Sequence, residues 1–240
     1  MKSKYTYKDG LVDGMPIAFG YLTVSIGFGI AAVNKGIPAI AALLISMTNL
    51  TSAGQVAGAD LIAAGGLITE MIAVQLTINC RYALMGISLT QKLDNSFNTF
   101  QRLITGAFIT DEIFSVALLK TGKINTAYFY GLATAPYIGW ALGTAIGAYG
   151  GSILPDNLRL SLGIAIYGMF IAIVVPAAKT DKGAEIAALT AGALSCILYF
   201  VPLFDFISDG FSLIICAVAG AVVAAAVHPV DDKDEEALYD

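Results

Sequence analysis

Long apolar stretches, separated by short polar connections, run along almost the whole chain. An α-helix needs about 20 apolar residues to cross the roughly 30 Å hydrocarbon core of a bilayer. The pattern predicts seven or eight such segments, at residues 12–33, 38–64, 66–90, 101–120, 125–149, 158–178, 184–203 and 207–227. We therefore expect an all-α polytopic membrane protein with a single transmembrane domain at residues 1–228.

The second predicted segment is the least regular. Six polar side chains interrupt its apolar sequence, at Ser46, Thr48, Asn49, Thr51, Ser52 and Gln55. Non-helical backbone at membrane depth is tolerated where protein or a water-filled cavity surrounds it. We expect this segment to be a broken helix or a re-entrant hairpin.

Glycine is abundant, with 25 residues, and recurs at spacings of three or four, as at Gly139, Gly143 and Gly147. This spacing favours close helix packing through small faces, with a flexible or interrupted helix as the alternative. Pro16 and Pro136 each lie within or at the edge of an apolar run and free a backbone carbonyl group. A half-helix N-terminus formed there could bind a carboxylate.

The distribution of lysine and arginine among the loops predicts the topology. Loop lysines and arginines favour cytoplasmic termini by the positive-inside rule, with eight on the inner side of an eight-segment arrangement and four on the outer side. The inner ones are Lys2, Lys4, Lys8, Lys120, Lys123, Lys179, Lys182 and Lys233, and the outer ones are Lys35, Lys92, Arg102 and Arg159. A seven-segment arrangement would move the C-terminus outside.

A faint duplication suggests two halves, at about residues 12–90 and 125–203. Pro16 and Gly20-Tyr21 in the first half are echoed by Pro136 and Gly139-Trp140 in the second. Secondary transporters often contain inverted repeats, and three segments per unit would give such an inversion here. Chance matches among small residues are the alternative.

Composition supports a membrane protein and excludes several other classes. The chain has 240 residues, of which 57% are hydrophobic and 13% charged, against about 25% charged in soluble domains. Much of the net charge of −5 comes from the tail at residues 229–240, which we expect to be disordered. No HExxH motif or Cys/His cluster is present. We expect no enzyme activity, no cofactor, no metal and no nucleic-acid partner.

Ionisable residues at membrane depth are the strongest functional signal. A charge near the bilayer centre costs at least about 2.5 kcal/mol on insertion scales and is usually turned inward. Arg81 lies within the third segment, and the pair Asp111 and Glu112 lies near the centre of "LITGAFITDEIFSVALL". Asp60 and Glu70 lie near segment ends, where an interfacial carboxylate is the better interpretation.

The chemistry of these groups leaves two interpretations open. Neighbouring helix positions point about 100° apart, so Asp111 and Glu112 cannot face one partner in the same way. One carboxylate can pair with Arg81 while the other titrates, as a proton-coupled carrier requires. An ion pair that only fixes helix packing is the alternative. Asn79 adds an amide that can bind backbone groups or polar atoms of a substrate.

Four stretches in this order carry a resemblance to a known family: "GMPIAFGYLTVSIGFGIAA", "SMTNLTSAGQVAGADLIAAG", "INCRYALMGISL" and "ITDEIFSVAL". They resemble the AzlC family, the large subunit of branched-chain amino-acid exporters. The matching positions are Pro16, Ile17, Gly20, Tyr21, Gln55, Asn79, Arg81, Tyr82, Thr110, Asp111 and Glu112. The chain departs from the family pattern around Gln55, where Ser before Gln and an aromatic residue after it are usual. It also has Tyr82 where His is common.

The resemblance implies an inner-membrane exporter of valine, leucine, isoleucine or related small apolar amino acids. It also implies coupling to the proton gradient and a small AzlD-type membrane subunit as partner. Together with the buried charges, it gives expected substrate-binding residues Pro16, Tyr21, Asn49, Ser52, Gln55, Asn79 and Arg81, and expected proton-coupling residues Asp111 and Glu112. The alternatives are a non-transporting membrane subunit or channel, or a transporter of another small zwitterionic metabolite.

Overall fold

A computed structural model describes residues 4–151 and 174–229 of the chain, and the single positions 155, 157, 161, 168 and 171 between them. This part of the chain is helical and contains no β-strand beyond an isolated bridge between Leu93 and Ile124. The predicted all-α class is therefore confirmed. Most of the sixth predicted segment, and residues 230–240 of the predicted tail, lie outside the described residues.

The described helices follow the predicted segments closely. They are α1 (Tyr7–Asn34), α2 (Ala39–Thr48), α3 (Ala53–Ala63), α4 (Ile68–Lys92), α5 (Thr99–Ala107), α6 (Asp111–Leu118), α7 (Thr126–Gly150), α8 (Lys182–Phe200) and α9 (Asp209–Val227). A 3₁₀ turn at Pro202–Phe204 lies between α8 and α9, and residues 174–180 are also helical. By length and composition, α1, α4, α8 and α9 can each cross a membrane unaided. The total number of spans stays a prediction.

The second predicted segment is interrupted, as expected. Helix α2 ends at Thr48 and α3 begins at Ala53, so the polar residues of this segment surround a gap in the helix. Ser52, in that gap, has a φ angle of 53°. This left-handed conformation is unfavourable for a residue other than glycine and persists only where the surrounding structure holds it.

The fourth predicted segment corrects the expectation for Asp111 and Glu112. They do not lie at the centre of one helix, because α5 ends at Ala107 and α6 begins at Asp111. Both carboxylates therefore occupy the first turn of α6. The physical reason is local, since Thr110 caps α6 and acidic side chains favour the positive end of a helix.

The interruption expected at Pro16 is wrong. Helix α1 is continuous over 28 residues through Pro16, and α7 is likewise continuous over 25 residues through Pro136. A proline removes one helical hydrogen bond, but here the packing of α1 along α7 keeps both helices intact. No half-helix N-terminus forms at Pro16, whose side chain is exposed.

The chain forms two compact units, and the first holds residues Met1–Gly65 and Ile78–Ile166. Its central feature is the contact of α1 with α7 through glycines. A Cβ atom on Gly143 would lie 2.3 Å from the Leu22 carbonyl oxygen, and one on Gly147 would lie 2.1 Å from that of Ile26. The same obstruction by backbone exists at Gly10, Gly14, Gly29, Gly131 and Gly139. The predicted close packing through small faces is thus confirmed.

A hydrophobic core beside this helix pair fixes the position of α6. Ile113 and Ala117 of α6 are fully buried and pack in one cluster with Tyr128, Phe129 and Leu132 of α7. This burial holds the short helix α6 against the α1–α7 pair. It therefore also positions the carboxylates at the beginning of α6.

The second unit holds residues Gly66–Thr77 and Tyr167–Asp240, and contains α8 and α9. These two helices approach closely at Gly220, where a Cβ atom would lie 2.8 Å from the Ala187 carbonyl oxygen. Glu70, expected to be an interfacial carboxylate near a segment end, is only 4% exposed. Its carboxylate accepts hydrogen bonds from the Ser208 hydroxyl and from the Gly210 N–H, at 3.1 Å for the latter. It caps the beginning of α9, where a negative charge is favourable.

The contact between α1 and α7 gives a stability prediction. We expect Gly143→Ala to lower the free energy of unfolding by about 1–3 kcal/mol, because the added methyl group forces the two backbones apart. Thermal unfolding of the purified protein measures this. Gly150→Ala is the matched control on the same helix, since nothing lies within 4 Å of a Cβ atom there. Equal stability of the two variants would contradict the close contact.

Candidate functional site

The beginning of α6 is the centre of the candidate site. The Thr110 hydroxyl accepts a hydrogen bond from the Ile113 N–H at 3.3 Å and so caps the helix. Asp111 and Glu112 follow in the first turn, near the partial positive charge of the helix N-terminus. Two adjacent carboxylates are therefore held where one helix ends and the next begins, inside a largely apolar unit.

Asp111 pairs with Arg81 of α4. Arg81 Nη1 lies 2.8 Å from Asp111 Oδ2 and 3.0 Å from Asp111 Oδ1. The guanidinium group also stacks on the Tyr82 ring, with Cζ 5.0 Å from the ring centroid, and Nη2 donates to the Tyr82 hydroxyl at 3.3 Å. The Arg81 and Asp111 side chains are 39% and 36% exposed. The ion pair is therefore only partly buried.

Glu112 has a different partner, on a different helix. The Tyr21 hydroxyl of α1 donates to Glu112 Oε2 at 2.5 Å and lies 2.8 Å from Thr110 Oγ1. Tyr21 is only 8% exposed. The two neighbouring carboxylates thus have partners on different helices. Asp111 pairs with the partly exposed Arg81 of α4, and Glu112 accepts a hydrogen bond from the buried Tyr21 hydroxyl of α1.

A second polar cluster holds the two sides of the gap between α2 and α3. The Gln55 side chain of α3 donates to the Ser46 hydroxyl of α2 at 2.5 Å. Two groups of α7 complete the cluster. The Trp140 indole N–H donates to Gln55 Oε1 at 2.8 Å, and the Thr144 hydroxyl lies 2.6 Å from that of Ser46. All four side chains are buried, so this cluster fastens both helices to α7.

The remaining expected site residues lie in varied surroundings. Asn49, in the gap, accepts a hydrogen bond from the Thr51 hydroxyl at 2.7 Å. The Ser52 hydroxyl is buried without a hydrogen-bond partner among the described residues. Asn79 is partly buried on α4, two residues before Arg81. Pro16 is exposed on α1 and contributes no polar group.

Sequence reasoning missed the role of Trp140. Its ring meets that of Tyr21 edge to face, with centroids 5.1 Å apart and an interplanar angle of 72°. Trp140 therefore contacts both polar clusters, Gln55 on one side and Tyr21 on the other. A signal was present, because the faint duplication aligns Gly20-Tyr21 with Gly139-Trp140.

Another ion pair of this unit lies away from the beginning of α6. Asp60, near the end of α3, forms an ion pair with Lys35, which follows α1. Partial burial lowers the pKa of the Lys35 amine. Among the described residues, no group of three or more His, Cys, Asp or Glu side chains could hold a metal ion.

The part of the chain that the structure describes contains four apolar helices long enough to cross a membrane. Its first unit holds an arginine and two carboxylates at a helix break. This is a multi-pass membrane protein. More particularly, the chain belongs to the AzlC family, whose sequence profile, described as "AzlC protein", matches residues 16–154. That range includes every expected site residue and Trp140.

Individual relatives are similar over most of the chain. "Inner membrane protein YgaZ" of Escherichia coli K12 is 24% identical over 202 residues, which cover 81% of this chain and 82% of that protein. A membrane protein of Archaeoglobus fulgidus is 27% identical over 221 residues, covering 91% and 94%. One from Helicobacter pylori is 27% identical over 150 residues, covering 61% and 64%. No solved structure matches the chain.

The Arg81–Asp111 pair predicts non-additive mutational effects. Arg81→Gln or Asp111→Asn alone leaves one charge without its partner, whereas the double variant leaves neither. We expect a coupling free energy of about 1 kcal/mol, moderated because both side chains are more than one third exposed.

Thermal unfolding of the single and double variants measures this coupling. The control combines Arg81→Gln with Asp60→Asn, whose effects should add, because Asp60 pairs with a different residue. Simple addition of the Arg81 and Asp111 effects would show that this ion pair contributes nothing to folding.

Proposed function

We propose that the protein is a secondary transporter that exports branched-chain or related small apolar amino acids, coupled to the proton gradient. The observation that carries this proposal is the partly exposed Arg81–Asp111 ion pair beside a second carboxylate at a helix break. Intramembrane ionisable groups usually mark a substrate or ion pathway. Membership of the AzlC family supports the proposal.

The ion pair suits a zwitterionic substrate. The carboxylate of the amino acid replaces Asp111 on the Arg81 guanidinium group, and Asp111 then receives the substrate ammonium group. Each charge keeps an opposite partner throughout, which avoids the cost of leaving one unpaired in a largely apolar unit. Asn79, two residues before Arg81, offers its amide to the same substrate carboxylate.

The gap between α2 and α3 supplies the other polar contacts. Asn49 and Ser52 present polar side chains from non-helical backbone, and the Ser52 hydroxyl has no hydrogen-bond partner among the described residues. Broken helices line the substrate sites of many secondary transporters. Gln55 contributes by holding the gap in place, since Ser46 and Trp140 engage both ends of its amide. Pro16 is left out of the proposed site.

Glu112 is the proton-binding group in this proposal, with Tyr21 as its partner. The Tyr21 hydroxyl donates a hydrogen bond to the Glu112 carboxylate, and a proton on Glu112 weakens that bond by removing the negative charge of the acceptor. Asp111 pairs with Arg81 and then with the substrate. Asp111 therefore binds substrate, and the neighbouring Glu112 binds the proton. Alternating access then links the two binding events.

The proposed setting is the bacterial inner membrane, with the N-terminus in the cytoplasm and a small AzlD-type subunit as partner. The location agrees with the printed name of the Escherichia coli relative. Co-purification of the full chain with a co-expressed AzlD-type subunit tests the partner. Reconstitution with and without that subunit shows whether transport requires it.

Leucine counterflow in proteoliposomes tests the substrate-binding role. We expect Arg81→Gln and Asp111→Asn to lower counterflow about 10- to 100-fold, because each removes a hydrogen bond to a charged group. Lys35→Gln is the matched control, since it neutralises a cation that pairs elsewhere in the same unit. Normal counterflow by Arg81→Gln at normal expression would refute the proposed site. Absence of counterflow by the wild-type chain with its partner would favour a non-transporting subunit.

Substitution of Glu112 separates proton coupling from substrate binding. We expect Glu112→Gln to retain leucine counterflow, which needs no net proton movement, and to lose leucine efflux driven by a pH gradient. Asp111→Asn should lose both. If Glu112→Gln still responds to the gradient like the wild type, another group carries the proton.

A further inference from the structure

Trp140 lies between the two helix breaks of the first unit. The chain contains only this one tryptophan, and it is 2% exposed. Tyr21 and Leu50 form a buried hydrophobic cluster with it, and Tyr137 packs against that cluster. Leu50 itself belongs to the gap between α2 and α3. The ring is therefore enclosed by groups from both sites.

The N–H edge of Trp140 is linked by hydrogen bonds to both sides of the gap between α2 and α3. Its indole N–H donates to Gln55, which in turn donates to Ser46 across the gap. Indole is only a donor, so Gln55 must present its carbonyl oxygen to Trp140 and its amino group to Ser46. This fixes the orientation of the amide and the distance between α2 and α3.

The Trp140 ring also contacts the ring of Tyr21, whose hydroxyl donates a hydrogen bond to Glu112. An edge-to-face aromatic contact has a preferred geometry, so a displacement of one ring affects the other. Titratable groups close enough to interact with Glu112 include Tyr21 on α1, Tyr82 on α4 and Asp111 on α6. Asp111 in turn pairs with Arg81 of α4. Of these, Tyr21 contacts Trp140 directly.

We propose that Trp140 is a positioning residue that couples protonation of Glu112 to the conformation of the gap at residues 49–52. The inference rests on the proposed function, because it takes Glu112 as the proton-binding group. A proton on Glu112 weakens the hydrogen bond from the Tyr21 hydroxyl and allows the two rings to shift. The shift strains the hydrogen bond from Trp140 to Gln55. Ser52, held in a left-handed conformation, can then relax.

Hydrogen–deuterium exchange on the purified full chain in lipid nanodiscs, without substrate, tests this coupling. Glu112→Gln imitates the protonated carboxylate. We expect it to accelerate exchange of the amides at residues 46–56 by about two- to thirty-fold in the wild-type background. In the Trp140→Phe background, which keeps an aromatic ring but lacks the N–H donor, the same substitution should change exchange less than about 1.5-fold, because coupled sites show non-additive effects.

A second variant guards against misfolding of Trp140→Phe. Gln55→Met keeps the length of the side chain but removes the acceptor for Trp140, and it should abolish the effect of Glu112→Gln in the same way. Glu70→Gln is the matched control, since it neutralises a buried carboxylate of the second unit and should leave exchange at residues 46–56 unchanged. Equal acceleration in all backgrounds, or no acceleration by Glu112→Gln, would overturn the inference.

The outcome is independent of transport. Coupled exchange without leucine counterflow would refute the proposed substrate and leave the Trp140 linkage intact. Counterflow and gradient-driven efflux without coupled exchange would support the proposed transport function and refute the Trp140 linkage.

Discussion

The close contact of α1 with α7 is the constraint on which the first unit depends. Glycines let the two backbones approach so closely that a single methyl group would collide with a carbonyl oxygen. This approach brings Tyr21 of α1 against Trp140 of α7. The pair of continuous helices also provides a surface against which the two interrupted segments, α2–α3 and α5–α6, can pack. Without it, neither the gap between α2 and α3 nor the beginning of α6 would have a fixed position.

Several charged groups of the described residues each have a specific partner. Arg81 and Asp111 neutralise each other, Glu112 receives the Tyr21 hydroxyl, and Glu70 in the second unit caps α9. The compensating groups differ in kind, however. Glu70 is buried and bound by its own unit, as in a structural cap, whereas Arg81 and Asp111 are partly exposed. This contrast is the reason to expect a ligand at the latter pair.

Much of the architecture could be predicted from the sequence, because apolar runs of sufficient length reveal helices in a membrane protein. Polar residues also revealed the gap at residues 49–52. The break before Asp111 was missed because hydropathy dominated the interpretation, although Thr110 followed by two acidic residues is a helix-start signal. Pro16 led to the opposite error, a predicted helix break that is absent. Packing of α1 against α7 overrides the tendency of proline to interrupt a helix. Partners of Glu70 and Trp140 lie 85 or more positions away along the chain, and no local pattern reports them.

We propose that a zwitterionic amino acid binds at Arg81, the partner of Asp111. The next residue, Glu112, is linked to Trp140 through Tyr21. The most direct test is titration of the purified protein with leucine while the emission of its single tryptophan is recorded. We expect a saturable change in the wild type that is absent from Arg81→Gln and present in Lys35→Gln. A saturable change of equal affinity in Arg81→Gln would contradict it.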